Sequence, residues 1–120
     1  MKIDGQCHCG HVAYEADIDP ERVTICHCTD CQALTGTAYR VTVAAPRDSI
    51  RLTGQPPKVY EKLGDSGRRR FQHFCPDCGS PLFVTGEGDQ AEMWGIRWGT
   101  IRQRVELAPR NRIWVQSALP

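Results

Sequence analysis

Seven cysteines in three tight clusters constrain this 120-residue chain more than any other feature: Cys7 and Cys9, then Cys26, Cys28 and Cys31, then Cys75 and Cys78. Thiolates hold zinc at about 2.3 Å, and a tetrahedral ion takes four of them. Seven therefore divide into a closed set that can staple a fold and an open set of three that leaves a position for chemistry. A chain of this length reads as one domain, residues 1–120, and buries only roughly 65% of its unfolded surface, so cross-links are useful. Disulfides are the alternative cross-link. The odd cysteine count, and a start (MKIDGQCHCG) without the apolar run of a secretory signal, favour two zinc ions and reduced thiols. No stretch approaches the roughly 18 apolar residues of a membrane span, so the expectation is a soluble, cytoplasmic protein.

Metal also changes the charge. The formal net charge is +1 with neutral thiols. Seven thiolates subtract seven and two zinc ions add back four, leaving −2. A nucleic-acid partner would then need a local basic patch, and Arg68-Arg69-Arg70 is the candidate, set against the plainer reading of a solvated hairpin end.

Turn residues recur at short intervals: Asp19-Pro20, Ala45-Pro46, Gln55-Pro56-Pro57, Gly64-Asp65-Ser66-Gly67, Gly86-Glu87-Gly88-Asp89 and Ala108-Pro109. Apolar alternation lies between them, at Val12, Tyr14, Ala16 and Ile18, at Tyr39, Val41 and Val43, at Ile50 and Leu52, and at Trp94, Ile96 and Trp98. Shorter candidates are Val59 to Leu63, Arg69 to Phe74, Leu82 to Thr85 and Arg112 to Gln116. The pattern predicts an all-β fold of packed sheets or a partly open barrel, with at most one or two short helices. One helix is expected through Cys31-Gln32-Ala33-Leu34, capped by Thr29 or Asp30 and ended by Gly36. Trp94, Trp98 and Trp114 read as core or pocket wall, with a base-stacking platform as the alternative.

Cys75-Pro76-Asp77-Cys78-Gly79 has the form of a zinc knuckle, with Pro starting a tight turn and Gly accepting positive φ after the second ligand. Its two missing ligands come most simply from Cys7-x-Cys9, which would tie the first strand to the middle of the chain. The rival partition joins Cys75 and Cys78 to two central cysteines and leaves Cys7 and Cys9 open. Cys26-His27-Cys28-Thr29-Asp30-Cys31 can itself place three sulfurs around one ion. Three thiolates on a divalent cation leave −1, which disfavours water activation and favours a fourth soft ligand such as a substrate thiolate. A helix N-terminus and the metal would both favour ionisation of all three. His27, His73 or Asp30 could instead close the site, making both metals structural; Cys31 as a metal-free redox nucleophile is a further option.

Taken in order, Gly5-x-Cys7-x-Cys9-Gly10-x-Val12-x-Tyr14, Cys26-His27-Cys28-x-x-Cys31-Gln32 with Gly36, and Phe74-Cys75-x-x-Cys78-Gly79-Ser80-x-Leu82 resemble the glutathione-dependent formaldehyde-activating enzyme family, which includes centromere protein V. The resemblance continues through Gly99-Thr100-Ile101 and Pro109-x-x-Arg112-Ile113-Trp114-x-x-Ser117. It implies an Mss4-like, zinc-stapled β fold, with Cys7, Cys9, Cys75 and Cys78 on a structural zinc and Cys26, Cys28 and Cys31 on a catalytic one. The implied activity is carbon-sulfur lyase chemistry joining glutathione to formaldehyde. The chain departs from the family's tail at Arg112, usually His, and at Arg102 and Gln103, where acidic residues are usual. A zinc-stabilised binding module for nucleic acid or protein is the rival function; the absence of a long basic tail argues against chromatin. A type-B methionine sulfoxide reductase would need a cysteine beyond Cys78, and none follows.

Overall fold

The structure, a computed structural model, describes residues 1–64 and 67–120. Asp65 and Ser66 of the expected turn lie outside the described residues. Among the described residues ten strands form two sheets. The first sheet holds β1 (Lys2–Gln6), β2 (Val12–Asp17) and β5 (Arg51–Gly54) in the order β1-β2-β5. The second contains β3 (Val23–Cys26), β4 (Arg40–Pro46), β6 (Lys58–Leu63), β7 (Arg69–Phe74), β8 (Pro81–Gly86), β9 (Met93–Arg97) and β10 (Asn111–Ile113). Its order is β10-β3-β4-β9-β8-β7-β6, antiparallel except for the parallel pair β10 and β3. The fold is mainly β, as the turn spacing predicts. Among the described residues one α-helix, α1 (Thr29–Thr35), and five single-turn 3-10 segments complete it. None of these helices is long and apolar enough to cross a membrane.

Alternation places the core. Val12, Tyr14 and Ala16 of β2 point inward with Ile18 just beyond, and meet Val43, Ala45, Leu82, Phe83 and Ile96 of the larger sheet in one cluster. The rings of Tyr14 and Phe83 cross edge to face at 5.1 Å, joining the two sheets. Leu82, Phe83, Val84 and Thr85 are all buried, without alternation, as befits a strand covered on both faces. Gly5 is needed under Tyr14: a Cβ there would lie 2.3 Å from both the Tyr14 hydroxyl oxygen and the Thr100 carbonyl.

Three expectations are corrected. Tyr39 precedes β4 and is 47% exposed, while the buried phase of that strand runs through Val43 and Ala45. Leu52 sits in an exposed strand at the edge of the small sheet. Trp114 is 44% exposed and adopts φ 56°, a left-handed conformation that ends β10 and begins a 3-10 turn at Val115–Ser117 where an extended strand was expected.

Candidate metal centres and the adjoining cleft

Two hairpin connections build the first cysteine group. Between β1 and β2 the Cys7 N–H reaches Val12 O (3.0 Å) and the Gly10 N–H reaches Cys7 O (3.1 Å), with Gly10 at φ 83°. Between β7 and β8 the Cys75 N–H reaches Ser80 O (3.0 Å) and the Gly79 N–H reaches Cys75 O (2.9 Å), with Gly79 at φ 78°. The His8 N–H donates to Ser80 Oγ at 3.0 Å, and His11 Nδ1 meets Asp77 Oδ2 at 2.6 Å, so each turn is tied to the other. Sγ atoms of Cys7, Cys9, Cys75 and Cys78 lie within 4.8 Å of one another. A tetrahedral ion with metal–sulfur arms of about 2.3 Å has sulfur–sulfur edges of about 3.8 Å. Cys7 to Cys9 is 3.6 Å and Cys9 to Cys75 is 3.7 Å, close to that edge, and the four sulfurs together form a group that could hold such an ion. Cys75 and Cys78 lie with this pair, apart from the central cysteines, unlike the rival partition.

The crowding of these thiols is what a cation would relieve. The Ser80 hydroxyl and backbone hold Cys78 down to about 5. The His11 N–H favours the Cys9 thiolate, yet desolvation and the sulfurs of Cys7, Cys75 and Cys78 push Cys9 up to about 12. Crowded sulfurs cannot all ionise unless a metal offsets their mutual repulsion.

The second group starts at the end of β3. Cys26 closes that strand, Cys28 is the N-cap of α1, and Cys31 lies in its first turn. Cys28, not Thr29 or Asp30, caps the helix: its Sγ accepts the Cys31 N–H at 3.3 Å. Gly36 ends the helix at φ 69°, as expected. No residue of α1 is buried, so its position depends on polar ties. The Gln32 side-chain amide donates to His27 O and to Ser117 O, both at 3.0 Å, clamping the cysteine loop to the C-terminal segment. The three Sγ atoms lie within 4.8 Å of one another. Without an ion they share protons unequally: a hydrogen bond from Cys31 holds Cys26 down to about 5, and that bond with burial pushes the Cys31 thiol up. The expected ionisation of all three thiols therefore requires the metal, because the helix terminus alone does not deliver it.

Among the described residues no fourth His, Cys, Asp or Glu ligand atom joins this trio. The three residues that could have closed it are engaged elsewhere. His27 is buried and its Nε2 faces Arg112 Nε and Nη2 at 3.2 and 3.1 Å, which makes Nε2 the acceptor because a guanidinium only donates. His73 Nε2 bonds the Thr85 hydroxyl at 3.0 Å, and its ring stacks on Trp94. Asp30 pairs with Lys62.

A cleft of about 960 Å³ opens beside the first group, lined by His8, Ser80, Pro81, Tyr39 and Trp98 among others. Arg40 and Arg97 also line it, although they are only 5% and 8% exposed. Arg40 Nη1 and Arg97 Nη2 donate to one oxygen, Gln72 Oε1, at 3.2 and 2.5 Å, and Arg97 Nη1 donates to Thr42 Oγ1 at 2.8 Å. Burial and the neighbouring Arg40 charge hold Arg97 down to about 9, against the opposing pull of Cys31 and Cys26. The sequence reading missed this cluster. Its only signal is an arginine at one end of each of two strands later found to pair, with Thr42 opposite Arg97.

Other singled-out residues are structural. Arg68 pairs with Asp89 and Arg69 with Glu61, and Arg70 reaches Gln90, so the arginine run is engaged within its own hairpins. Trp98 donates Nε1–H to Leu107 O at 2.9 Å and forms a cleft wall. Arg102 and Gln103 both bind the Asp4 carboxylate, and Arg112 holds His27, which accounts for three departures in the tail.

A Halomonas elongata protein named "Putative glutathione-dependent formaldehyde-activating enzyme" is 29% identical over 91 residues, covering 70% of this chain. The match covers 56% of that relative, so the chain spans little more than half its length. A crystal structure of a Rhodobacter sphaeroides protein superposes with a TM-score of 0.70 at 18% identity, covering 91% of this chain and 98% of the other, and so shares the fold. The family model described as glutathione-dependent formaldehyde-activating enzyme matches residues 2–117, and the chain belongs to that family.

Proposed function

We propose that this chain is a zinc-dependent enzyme of the carbon-sulfur lyase type that adds a thiol, glutathione by default, to a small aldehyde such as formaldehyde, or runs the reverse cleavage. In this reading residues 1–120 form a single Mss4-like domain acting in the cytoplasm. Cys7, Cys9, Cys75 and Cys78 hold a structural zinc, and Cys26, Cys28 and Cys31 hold a catalytic one. The observation that carries it is the incomplete trio: three converging sulfurs, with His27, His73 and Asp30 all bonded elsewhere.

An all-sulfur donor set selects a soft or borderline cation. When bound at the trio, zinc would keep an incoming thiol deprotonated at neutral pH. The chain's own residues keep the three sulfurs spaced: Cys28 Sγ accepts the Cys31 N–H, and Gln32 locks the loop from both sides. In the addition, the thiolate sulfur bonds to the aldehyde carbon, the carbonyl π pair moves to oxygen, and a proton from water completes the S-hydroxymethyl product. Cleavage reverses each step, returning the C–S electron pair to sulfur.

Native mass spectrometry of the reduced protein, with and without glutathione, tests this. Two zinc ions per chain and a glutathione adduct that disappears in Cys28→Ser are expected. Two zinc ions with no adduct would refute the open site and leave a purely structural role.

A further inference from the structure

Two arginines are buried in this protein without a carboxylate. Arg40 and Arg97 are each more than nine-tenths buried, and among the described residues neither forms an ion pair with Asp or Glu. A guanidinium offers five N–H donors, so the pair offers ten. Gln72 and Thr42 take three, and among the described residues Nε of both arginines meets no acceptor. Buried charged donors without partners are costly and rare, and each calls for an explanation: an ordered water, a bound anion or a functional role. The negative groups acting on them are the central cysteines: Cys31 and Cys26 on both, and Cys28 on Arg40. Three thiolates with a divalent cation total −1 against +2 from the guanidiniums. The sum is +1 with the metal in place and a bound substrate thiolate would bring it to zero, so what the pair still offers a carboxylate is its unpaired guanidinium donors rather than a net charge.

The same arginines line the large cleft, whose walls at Tyr39, Val41, Pro81, Trp98 and Pro109 offer apolar surface around a few convergent polar groups, the usual make-up of a small-molecule site. Planar guanidiniums match carboxylates in geometry as well as in charge. We propose that Arg40 and Arg97, spaced by Gln72, form a carboxylate-binding site in this cleft that selects acidic thiols over neutral ones. The inference rests on the reading of the trio as a thiol site only in requiring that the bound acid also carry a thiol. Gln72 has a defined part: its single carbonyl oxygen holds both cations in place without neutralising either.

The test uses the zinc-loaded full chain and isothermal titration with three probes: 3-mercaptopropionate, 2-mercaptoethanol and propionate, with zinc content checked after each titration. The acidic thiol should bind at least about tenfold tighter than the neutral one, the worth of a charge-assisted hydrogen bond. Arg97→Gln should remove that difference, bringing the affinity for the acidic thiol down to that for 2-mercaptoethanol in the same variant. Gln72→Glu supplies the missing carboxylate from within, so it should raise the melting temperature and abolish the preference even if Arg97→Gln fails to fold. Equal affinity for the two thiols in the parent protein would overturn the carboxylate site and leave the thiol site standing. Arg97-dependent binding of propionate, with no gain from the thiol, would support the anion site while refuting the thiol reading. A Gln72→Glu variant that keeps the parent's preference would overturn the proposal.

Discussion

Replacing Cys75 should cost this protein far more stability than replacing Cys26, and the difference follows from chain topology. A metal joining Cys9 to Cys75 closes a loop of 66 residues. Treated as a cross-link on the unfolded chain, that closure is worth about 4 kcal/mol at 25 °C. The central trio spans only from Cys26 to Cys31, and the same relation gives about 2 kcal/mol for so short a loop. Cys75 is also fully buried, whereas Cys26, Cys28 and Cys31 are partly exposed. Total stabilities of such domains run at about 5–15 kcal/mol, so Cys75→Ser removes a large share. Urea unfolding of the zinc-loaded variants at fixed free zinc, followed by tryptophan fluorescence, measures both. With an unchanged slope, the midpoint shift for Cys75→Ser should be at least about twice that for Cys26→Ser. Equal shifts would mean that both metals staple the fold, and a larger shift for Cys26→Ser would refute the topological reasoning outright.

Gly5→Ala should destabilise the protein by about 1–3 kcal/mol or more, because its methyl would meet the Tyr14 hydroxyl and the Thr100 carbonyl at 2.3 Å; thermal melting reads this, and a variant as stable as the parent would mean that the two sheets give way there. Mild chelation should empty the three-sulfur group before the four-sulfur group. Iodoacetamide at pH 6 should then label Cys26 ahead of Cys31, since the thiolate form of Cys26 is retained above about 5 and lost below it. Peptide mapping across that pH range checks the order, and preferential labelling of Cys31 would contradict the proton sharing described for the trio.

The sequence made the cysteine groups legible because their information is local: a C-x-C or C-x-x-C spacing sets a turn, and the following Gly10 or Gly79 supplies the positive φ. Strand β2 was legible for the same reason, its apolar period being clean from Val12 to Ile18. Strands β1 and β3 were not. In β1 the inward position that would complete the alternation is Gly5, small because Tyr14 lies over it, and in β3 polar Thr24 and Cys26 interrupt a short run. Tyr39 and Leu52 misled because an apolar residue at a strand period carries no sign of which positions face water. Propensity favours Thr29 or Asp30 as the helix cap, and a cysteine sulfur takes the role because the loop already holds it at the helix start. The arginine and glutamine cluster could not be read at all. Its members come from β4, β7 and β9, and only the pairing of those strands through β8 brings them to one place.

The two cysteine groups also differ in when they can exist. A ribosome has delivered every donor of the central trio once residue 31 has emerged, and the loop that carries them needs no distant partner to bring its sulfurs near one another. The four-sulfur group cannot assemble until residue 78 is out and the β1–β2 and β7–β8 turns have met, a long-range event that folds slowly by comparison. During synthesis the three-donor group is therefore the first that could claim a metal, and the four-donor group forms only afterwards.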